Sequence, residues 1–317
     1  MALPDIHECW FLTGATASGK TEIGLQLAEQ IGAEIISLDS MAIYRKMNIG
    51  TAKASVEDQG RVPHHLIDIV DPTDEFSLSQ YVDAAERVVR EIRSRGRQIL
   101  FVGGTPLYLK SLLHGIFQGP PADWDFREQV QQEADRVGAA ELHRRLTQVD
   151  PLSAAKLHPN DTRRIIRALE VYKLTGSPIS HQQMQFDQGR DAAACRVFVL
   201  TWPRPKLRAR IDQRVQKMFS DGLIDEVRDL LKTFTSLGRT ARQAVGYREV
   251  IELLTVGQTL EQTIQAVQTR THQFAKRQET WFRSLSECRR VTRSADVSSA
   301  EVAAQIHDSG AVIDEGA

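Results

Sequence analysis

The stretch Gly14-Ala15-Thr16-Ala17-Ser18-Gly19-Lys20-Thr21 (GATASGKT, residues 14–21) decides the fold of this chain. Its spacing, G-x-x-x-x-G-K-[ST], is that of a phosphate-binding loop, and it stands between an apolar run at 9–12 and a helical pattern at 20–31. Glycines at both ends let successive N–H groups point into one concavity, which the N-terminus of the helix makes more positive. Lys20 would add a full charge to phosphate oxygens, and the Thr21 hydroxyl would ligate a phosphate-bound Mg²⁺. The loop predicts a di- or triphosphate site without fixing the ester. The alternative is a plain glycine turn before a helix.

Strands and helices alternate on both sides of this loop. Apolar runs at 34–39, 65–70 and 98–102 predict buried strands, and the pattern at 77–95 predicts an amphipathic helix. This alternation predicts an α/β fold, a P-loop NTPase-like parallel sheet core with crossover helices. The run RVFVLT (196–201) predicts a strand that returns to the sheet, followed by long helices.

Composition shifts mark the domains. Gly119-Pro120-Pro121 interrupts the α/β pattern, and residues 123–195 are helical in pattern and poor in strands. We therefore predict a discontinuous core domain, 8–122 with 196–290, and a helical insertion domain, 123–195. The end of the chain, 291–317, is acidic and rich in small residues, which predicts a weakly ordered tail.

The charge of the chain is unevenly distributed. The total is 40 basic against 41 acidic residues, whereas residues 196–293 hold 19 basic and 10 acidic side chains. A polyanion responds to the local field, because the Debye length is about 8–10 Å at cellular salt. This segment suits a phosphate or nucleic-acid surface. The alternative is a set of solvated helix faces whose charges their neighbours partly neutralise.

Several classes of protein are excluded. No stretch approaches 18 consecutive apolar residues, so we expect no membrane span, and residues 1–8 lack the basic start of a secretory signal. The three cysteines, Cys9, Cys195 and Cys288, lie far apart, which excludes a disulfide framework and a four-cysteine zinc site. This usage predicts a cytoplasmic protein.

Two polar positions follow predicted strands. Asp39 ends the run IISLD, and Thr105 follows the pair Gly103-Gly104 after the strand at 98–102. Ligands of open parallel sheets bind at the carboxyl ends of strands, so both residues are candidates for the site. From its position in the sequence, Asp39 could be a metal-linked carboxylate, a catalytic base or only a helix cap. The segment around Thr105 could be only a tight turn.

A set of strings beyond the loop carries a family resemblance. They are SLDSMAIYRKMNIGTAK (37–53), HHLIDI (64–69), VGGTPLYLKSLL (102–113), HPNDTRRIIRALEVY (158–172), VGYRE (245–249) and KRQETWFR (276–283). With the loop, and in this order, they resemble the bacterial tRNA dimethylallyltransferase (tRNA prenyltransferase) family over about residues 9–285. One departure is Ala15, where the family usually has proline. Because that position contributes only backbone, we expect little effect.

The resemblance implies a reaction and a set of roles. Dimethylallyl diphosphate would be the co-substrate, and its prenyl group would move to N6 of the adenosine 3′ of the anticodon in tRNA. The loop, Gly14, Ala15, Thr16, Ala17, Ser18, Gly19, Lys20 and Thr21, would hold the diphosphate with Mg²⁺. Asp39 would be the general base, and Thr105 would contact the diphosphate. Arg210 and Arg214 lie four residues apart on one helix face and could clamp the diphosphate. Their alternative is a solvated basic face.

The resemblance also implies an RNA surface. The target adenine must leave its stack to reach a sheet edge, and such RNA is recognised by loop shape, phosphates and unstacked bases. The implied contacts with the anticodon stem-loop are Asp39, Ser40, Met41, Ala42, Arg127, Arg163, Arg164, Ile165, Ile166, Arg167, Gln243, Gly246, Tyr247, Arg248, Lys276, Arg277, Gln278, Trp281 and Arg283. The aromatic pair Trp281 and Phe282 could instead belong to the core. We expect a monomer.

Three other functions remain open at this point. A P-loop kinase for small molecules or nucleotides explains residues 14–21 but not the basic segment or the string at 276–283. An adenylate prenyltransferase that acts on free nucleotides would need no insertion for RNA. A non-catalytic RNA-binding ATPase gives Asp39 and Thr105 no role.

Overall fold

A parallel sheet organises the computed structural model, which describes residues 6–117, 119–183 and 190–311. Its strands within these residues are β1 (Trp10–Gly14), β2 (Ala33–Ser37), β3 (His64–His65), β4 (Gln98–Gly103), β5 (Val197–Thr201) and β6 (Cys288–Thr292). They lie in the order β3-β2-β4-β1-β5-β6, and each neighbouring pair is parallel. The predicted α/β fold with a parallel sheet is confirmed.

Helices alternate with these strands along the described residues. The first four are α1 (Lys20–Ile31), α2 (Val56–Arg61), α3 (Leu78–Ser94) and α4 (Pro106–His114). The next five are α5 (Trp124–Val137), α6 (Ala139–Val149), α7 (Pro151–Lys156), α8 (Thr162–Thr175) and α9 (Ile179–Gln183). The last six are α10 (Arg204–Ser220), α11 (Leu223–Thr233), α12 (Arg239–Arg242), α13 (Tyr247–Val256), α14 (Leu260–Arg283) and α15 (Ser299–Ala311).

Two compact units make up the chain. The helical unit comprises residues 114–188, and the core unit comprises residues 3–113 and 189–317. The helical unit begins at the end of α4 and ends at residue 188, whereas the predicted insertion is 123–195. Its own core is a cluster of apolar side chains from α5, α6 and α8, which includes Phe126, Leu146 and Ile165.

The strands that carry the phosphate loop are buried. Every residue of β1 and β2 is buried, as expected for parallel strands covered on both faces. Trp10 and Leu12 of β1 share one apolar cluster with Ile23 and Leu27 of α1. The helix that begins at the phosphate loop is thus anchored to the strand that ends there.

The end of the chain differs from its prediction as a weakly ordered tail, 291–317. β6 pairs with β5 as far as Thr292, and α15 follows it. Val302, Ala303 and Ile306 of α15 are buried in the same apolar cluster as α1. The small residues that suggested disorder instead let α15 approach the sheet closely, since a Cβ added at Gly310 would lie 2.1 Å from the Trp10 ring. Residues 312–317 lie outside the described residues.

A second difference concerns the predicted strand at 65–70. Only His64–His65 pairs with β2, and Val70 forms an isolated bridge with Tyr44. Leu66 and Asp68 between them have φ values of 59° and 54°, a left-handed conformation that a strand cannot contain. Across the described residues, no helix combines the length and the apolar character needed to cross a membrane.

Candidate active site

The phosphate loop depends on glycine at its two ends. Gly14 has a φ of 147°, and a Cβ there would lie 2.6 Å from the carbonyl oxygen of Leu200. Gly19 has a φ of 93° and is the N-cap of α1. The first amides of a helix have no partner within the helix, so those of α1 are available to an anion at the loop. The loop therefore has the shape that its sequence motif predicts.

Side chains from other elements hold the outer side of this loop. Arg210 Nε donates to the carbonyl oxygen of Ala17 at 2.8 Å, and Trp202 Nε1 donates to that of Ser18 at 3.0 Å. The Arg210 guanidinium also stacks over the Trp202 ring, 4.6 Å from its centroid. Because the loop carbonyls are bound from outside, the loop is fixed before any ligand arrives. Ala15, expected to contribute only backbone, also buries its side chain in an apolar cluster that includes Trp202 and Leu207.

The ammonium group of Lys20 is buried in the site, and its pKa is far below the ordinary value for lysine. Its Nζ donates to the carbonyl oxygens of Gly14 and Ala15 at 3.0 and 2.8 Å. Burial and, to a smaller extent, the positive charge of Arg214 lower the pKa of Lys20 to about 7, although Asp39 partly opposes both. An anionic ligand would favour the protonated form. Lys20 is thus placed to respond to negative charge at the loop.

The ends of β2 and β4 bring Asp39 and Thr105 to the same cavity. Asp39 Oδ1 accepts the N–H of Met41 at 2.8 Å, which fixes the carboxylate against the turn at 39–42. Thr105 Oγ1 accepts the N–H of Ser40 at 3.1 Å. Its own proton reaches Ser40 Oγ only at 3.5 Å, so a ligand oxygen in the cavity would be a better acceptor. The arrangement places a carboxylate and a hydroxyl beside the phosphate loop.

A cavity of about 780 Å³ in the core unit joins these groups. The predicted site residues on its wall are Thr16, Ala17, Ser18, Gly19, Lys20, Thr21, Asp39, Ser40, Met41, Ala42, Thr105, Arg210, Arg214, Gln243, Tyr247, Arg277 and Gln278. Within the described part of the chain, the wall does not include Gly14, Ala15, Gly246, Arg248, Lys276, Trp281 or Arg283.

Arg214 faces the loop from α10. Its Nη2 donates to the carbonyl oxygen of Thr51 at 3.5 Å, and burial lowers the pKa of its guanidinium while Asp39 opposes that change. Arg210 lies one turn earlier on the same face, as the spacing of four residues suggested. Two arginines and Lys20 therefore line one cavity, which suits a ligand with several negative charges.

Several predicted RNA contacts have buried side chains instead. Tyr247 is buried, and its hydroxyl donates to Glu226 at 2.6 Å. Glu226 also accepts the N–H groups of Asn48 and Ile49, so it fixes the segment 48–54 that lines the cavity. Gln278 is 3% exposed. Tyr247 and Gln278 thus build the cavity wall, and no motif in the sequence pointed to Glu226.

Phe274 is a cavity residue that the sequence motifs missed. It is 37% exposed and lines the cavity together with Thr271 and Gln278 of the same helix. The positions 267, 271, 274 and 278 follow the helical period, a pattern that would have identified this face of α14. On the same helix, Phe282 is buried, whereas Trp281 is 40% exposed, so only Phe282 belongs to the core.

The predicted arginines of the helical unit fall into two groups, those paired with a buried carboxylate and those exposed to solvent. Arg127 makes two 2.8 Å hydrogen bonds to Glu170, which is fully buried, and Arg167 pairs with the same carboxylate. Arg163 and Arg164 are exposed, and Arg164 pairs with Asp161. Ile165 and Ile166 belong to the apolar cluster of this unit, so their side chains are not available to RNA.

The cavity wall offers few protein ligands to Mg²⁺. Among the residues that the structure describes, no group of three or more His, Cys, Asp or Glu side chains could hold a metal ion. Thr21 and Asp39 nevertheless place a hydroxyl and a carboxylate on one cavity wall, and these are the hard oxygen donors that Mg²⁺ prefers. The residues fit an ion held mainly by phosphate oxygens, not a site built from protein ligands alone.

Known proteins resemble this chain over most of its length. The model of the IPP transferase family matches residues 42–285. A tRNA dimethylallyltransferase of Rhodopirellula baltica is 50% identical over 286 residues, 88% of this chain and 86% of that protein. One of Geobacter sulfurreducens is 45% identical over 86% of this chain and 88% of that protein.

Solved structures agree with these relatives. The full-length tRNA isopentenylpyrophosphate transferase of Bacillus halodurans aligns with a TM-score of 0.68 and 36% identity, covering 97% of this chain and 98% of that one. A eukaryotic dimethylallyltransferase, described as acting on tRNA, aligns with a TM-score of 0.70 and 26% identity. That alignment covers 90% of this chain and 73% of the other.

Proposed function

Since this chain belongs to the IPP transferase family, we propose that it transfers a dimethylallyl group from dimethylallyl diphosphate to a tRNA. It is an enzyme, a tRNA dimethylallyltransferase. The acceptor is N6 of the adenosine 3′ of the anticodon, and the products are the prenylated tRNA and diphosphate. The observation that carries this assignment is the single cavity that joins the phosphate loop to Asp39 and Thr105.

The phosphate loop binds the leaving group. As the bond between the allylic carbon and the diphosphate oxygen breaks, that oxygen keeps the electron pair and becomes more negative. Lys20, whose pKa is lowered to about 7, gains affinity for its proton as this charge grows. Arg210 and Arg214 add fixed positive charge from α10. Mg²⁺ held through Thr21 would supply further positive charge to the diphosphate.

Asp39 removes the proton from the acceptor nitrogen. The new bond joins N6 to the allylic carbon, and N6 must lose one proton to remain neutral. The Asp39 carboxylate accepts that proton, in an orientation fixed by the Met41 N–H. The Thr105 hydroxyl donates a hydrogen bond to an oxygen of the diphosphate, since the Thr105 oxygen already accepts the N–H of Ser40.

An unstacked base needs an aromatic surface. Phe274 offers one on the cavity wall, with Arg277 one turn away on α14. Bases that leave a stack bind to aromatic side chains and to guanidinium groups. We assign Phe274 to the flipped nucleotide or its neighbour. Lys276, Trp281 and Arg283, exposed on α14, serve the rest of the RNA. In the helical unit, Arg163 and Arg164 are the exposed candidates for phosphate contacts.

The test is direct. The protein is incubated with dimethylallyl diphosphate, Mg²⁺ and unmodified tRNA, and the digested RNA is analysed for N6-dimethylallyladenosine by mass spectrometry. We expect prenylation of tRNA and no ATP turnover. Turnover of ATP without prenyl transfer would indicate a kinase or ATPase, and transfer to AMP as fast as to tRNA would indicate an adenylate prenyltransferase.

A further inference from the structure

Gln278 connects two loops of the cavity through one side-chain amide. Its Oε1 accepts the N–H of Thr16 in the phosphate loop at 2.9 Å. Its Nε2 donates to the carbonyl oxygen of Gly104, the residue before Thr105, at 2.5 Å. With 3% of its surface exposed, Gln278 makes these bonds away from bulk solvent.

The bridge formed by Gln278 lies just beyond the point where the hydrogen bonds between β1 and β4 end. β1 and β4 are paired up to Thr13 and Gly103, and Thr13 Oγ1 donates to the carbonyl oxygen of Gly103 at 2.8 Å. Beyond these residues the strands end, so the ladder offers no partner to Thr16 or Gly104. Backbone groups buried at such a point require a partner from a side chain or water. Gln278 supplies both partners from α14.

Glutamine is matched to this task by its chemistry. The bridge requires an acceptor for the Thr16 N–H and a donor for the Gly104 carbonyl, and an amide offers both on adjacent atoms. An ionised carboxylate offers acceptors only, and a thioether provides neither bond effectively. There is also no room beside the amide, since a Cβ added at Gly104 would lie 2.7 Å from Gln278 Nε2.

We propose that Gln278 is a positioning residue for prenyl transfer, which fixes the separation between the diphosphate loop and the Asp39–Thr105 side of the cavity. The proposal rests on the function proposed above. The loop holds the leaving group, whereas Asp39 and Thr105 act on the acceptor and on the diphosphate from the other strand ends. A shift of the two loops by about 1 Å changes the distance from N6 to the allylic carbon. Reaction rates respond steeply to this distance, by about 100-fold for 1 Å.

Two substitutions separate the bridge from simple packing. Gln278→Met keeps the length of the side chain and removes both bonds. Gln278→Glu keeps an acceptor for Thr16 and places a lone pair against the Gly104 carbonyl. For both we expect kcat to fall by about 100-fold, with KM for tRNA and for dimethylallyl diphosphate changed less than about threefold.

The pH dependence supplies a readout that packing would not change. A protonated glutamic acid is a donor as well as an acceptor, so it can rebuild both bonds. The ratio of the kcat of Gln278→Glu to that of the wild type should therefore rise as the pH falls from 8 to 6, because burial raises the pKa of such a carboxyl. The ratio for Gln278→Met should stay constant. Gln273→Glu and Gln273→Met, at an exposed position of the same helix, should behave as wild type.

Each outcome bears on the proposal. A kcat within twofold of wild type in both variants would overturn it. A raised KM for tRNA with unchanged kcat would make Gln278 an RNA contact instead, and a flat pH ratio for Gln278→Glu would reduce it to a packing residue. Thermal unfolding checks that the variants are folded. Should Gln278→Met not fold, the pH ratio of Gln278→Glu decides alone. If wild type and the Gln273 variants all fail to prenylate tRNA, the proposed function has failed, not the bridge.

Discussion

Arg214 and Lys20 lie on the wall of one cavity, and the positive charge of Arg214 adds to the effect of burial in lowering the pKa of Lys20. The pair is therefore preloaded for a polyanion. While the cavity is empty, burial and Arg214 favour the neutral form of Lys20, and an arriving diphosphate favours its protonation.

This relationship predicts a pH dependence of substrate binding. The pKa of Lys20 in the free protein is about 7, and a bound diphosphate raises it, so binding above pH 7 must be accompanied by uptake of a proton. KM for dimethylallyl diphosphate should therefore rise as the pH increases from 7 to 9, by up to about tenfold per pH unit. Lys20→Arg, which stays charged, should bind more weakly at pH 7 but show a flatter profile. A profile for Lys20→Arg as steep as that of wild type would contradict the assignment.

Replacement of Asp39 tests the general base. Asp39→Asn can still accept the Met41 N–H but cannot take a proton, so kcat should fall by about 100-fold or more, the usual range for a general base. Because the Asp39 charge supports the protonated form of Lys20, the rise in KM should also begin at lower pH. Single-turnover transfer measures the first effect. Asp83→Asn, exposed on α3, is the matched control, and a loss below tenfold would remove Asp39 from this role.

Phe274 is expected to act on the RNA, not on the diphosphate. Phe274→Ala should weaken tRNA binding by about 1–3 kcal/mol, the value of one base stacked on an aromatic ring. Phe274→Tyr retains the ring and should bind like the wild type. Filter binding with tRNA and with radiolabelled dimethylallyl diphosphate distinguishes the two ligands. Equal weakening of both would point to a collapsed cavity wall.

Glu170 is expected to stabilise the helical unit. Glu170→Gln leaves Arg127 and Arg167 without their shared carboxylate, and it should lower the free energy of unfolding by about 3 kcal/mol, the lower range for a broken buried pair. Glu133→Gln, in the exposed pair with Arg145, should cost less than about 1 kcal/mol. Urea unfolding followed by circular dichroism measures the free energy of unfolding of both variants. An equal loss in the two would contradict the expectation that the buried Glu170 stabilises the unit more than the exposed Glu133.

The same carboxylate predicts how the wild type responds to acid. Burial alone would raise the pKa of Glu170, but its bonds to Arg127 and Arg167 prevail and hold the pKa below the ordinary value. A depressed pKa contributes stability that is complete above about pH 4.3 and is lost as the pH falls through the folded value. Glu170→Gln should therefore show a weaker loss of stability below pH 4.

The last helix is expected to be part of the core. Ile306 is fully buried against the α1 cluster, so Ile306→Ala should destabilise the protein by about 3 kcal/mol. Gln305→Ala, at the exposed neighbouring position, should change stability by less than about 0.5 kcal/mol. Thermal unfolding of both variants checks this. If both unfold at the temperature of the wild type, α15 does not contribute to the core.

The features predicted best are those that the sequence encodes locally. The loop at 14–21 needs glycines at fixed positions, and the strand ends at Asp39 and Thr105 follow from apolar runs, so these were predictable residue by residue. The irregular backbone at 65–70, where a strand was predicted, could not be predicted locally, because Leu66 and Asp68 adopt positive φ values that residues other than glycine do not favour. The predicted monomeric state stays a prediction.

Long-range partners set the limit of the sequence reasoning. Glu226 lies 21 residues from Tyr247 and 178 from Asn48, and only the fold brings them together. Gln278 lies 262 residues from Thr16. Resemblance marked Gln278 and Tyr247 as RNA contacts because they stand in recognisable strings, but a string does not say which of its residues face inward. The two neighbours differ in burial: Arg277 is exposed and lines the cavity, whereas Gln278 is buried.

The order of strands has a consequence for the synthesis of the protein. β1 is made first, yet it pairs on one side with β4 and on the other with β5, which follows only after the whole helical unit. Trp202, Arg210 and Gln278, which hold the phosphate loop, come later still. The catalytic loop therefore leaves the ribosome long before its supports exist. A nascent chain that stops short of β5 contains the complete motif but none of the three side chains that hold it.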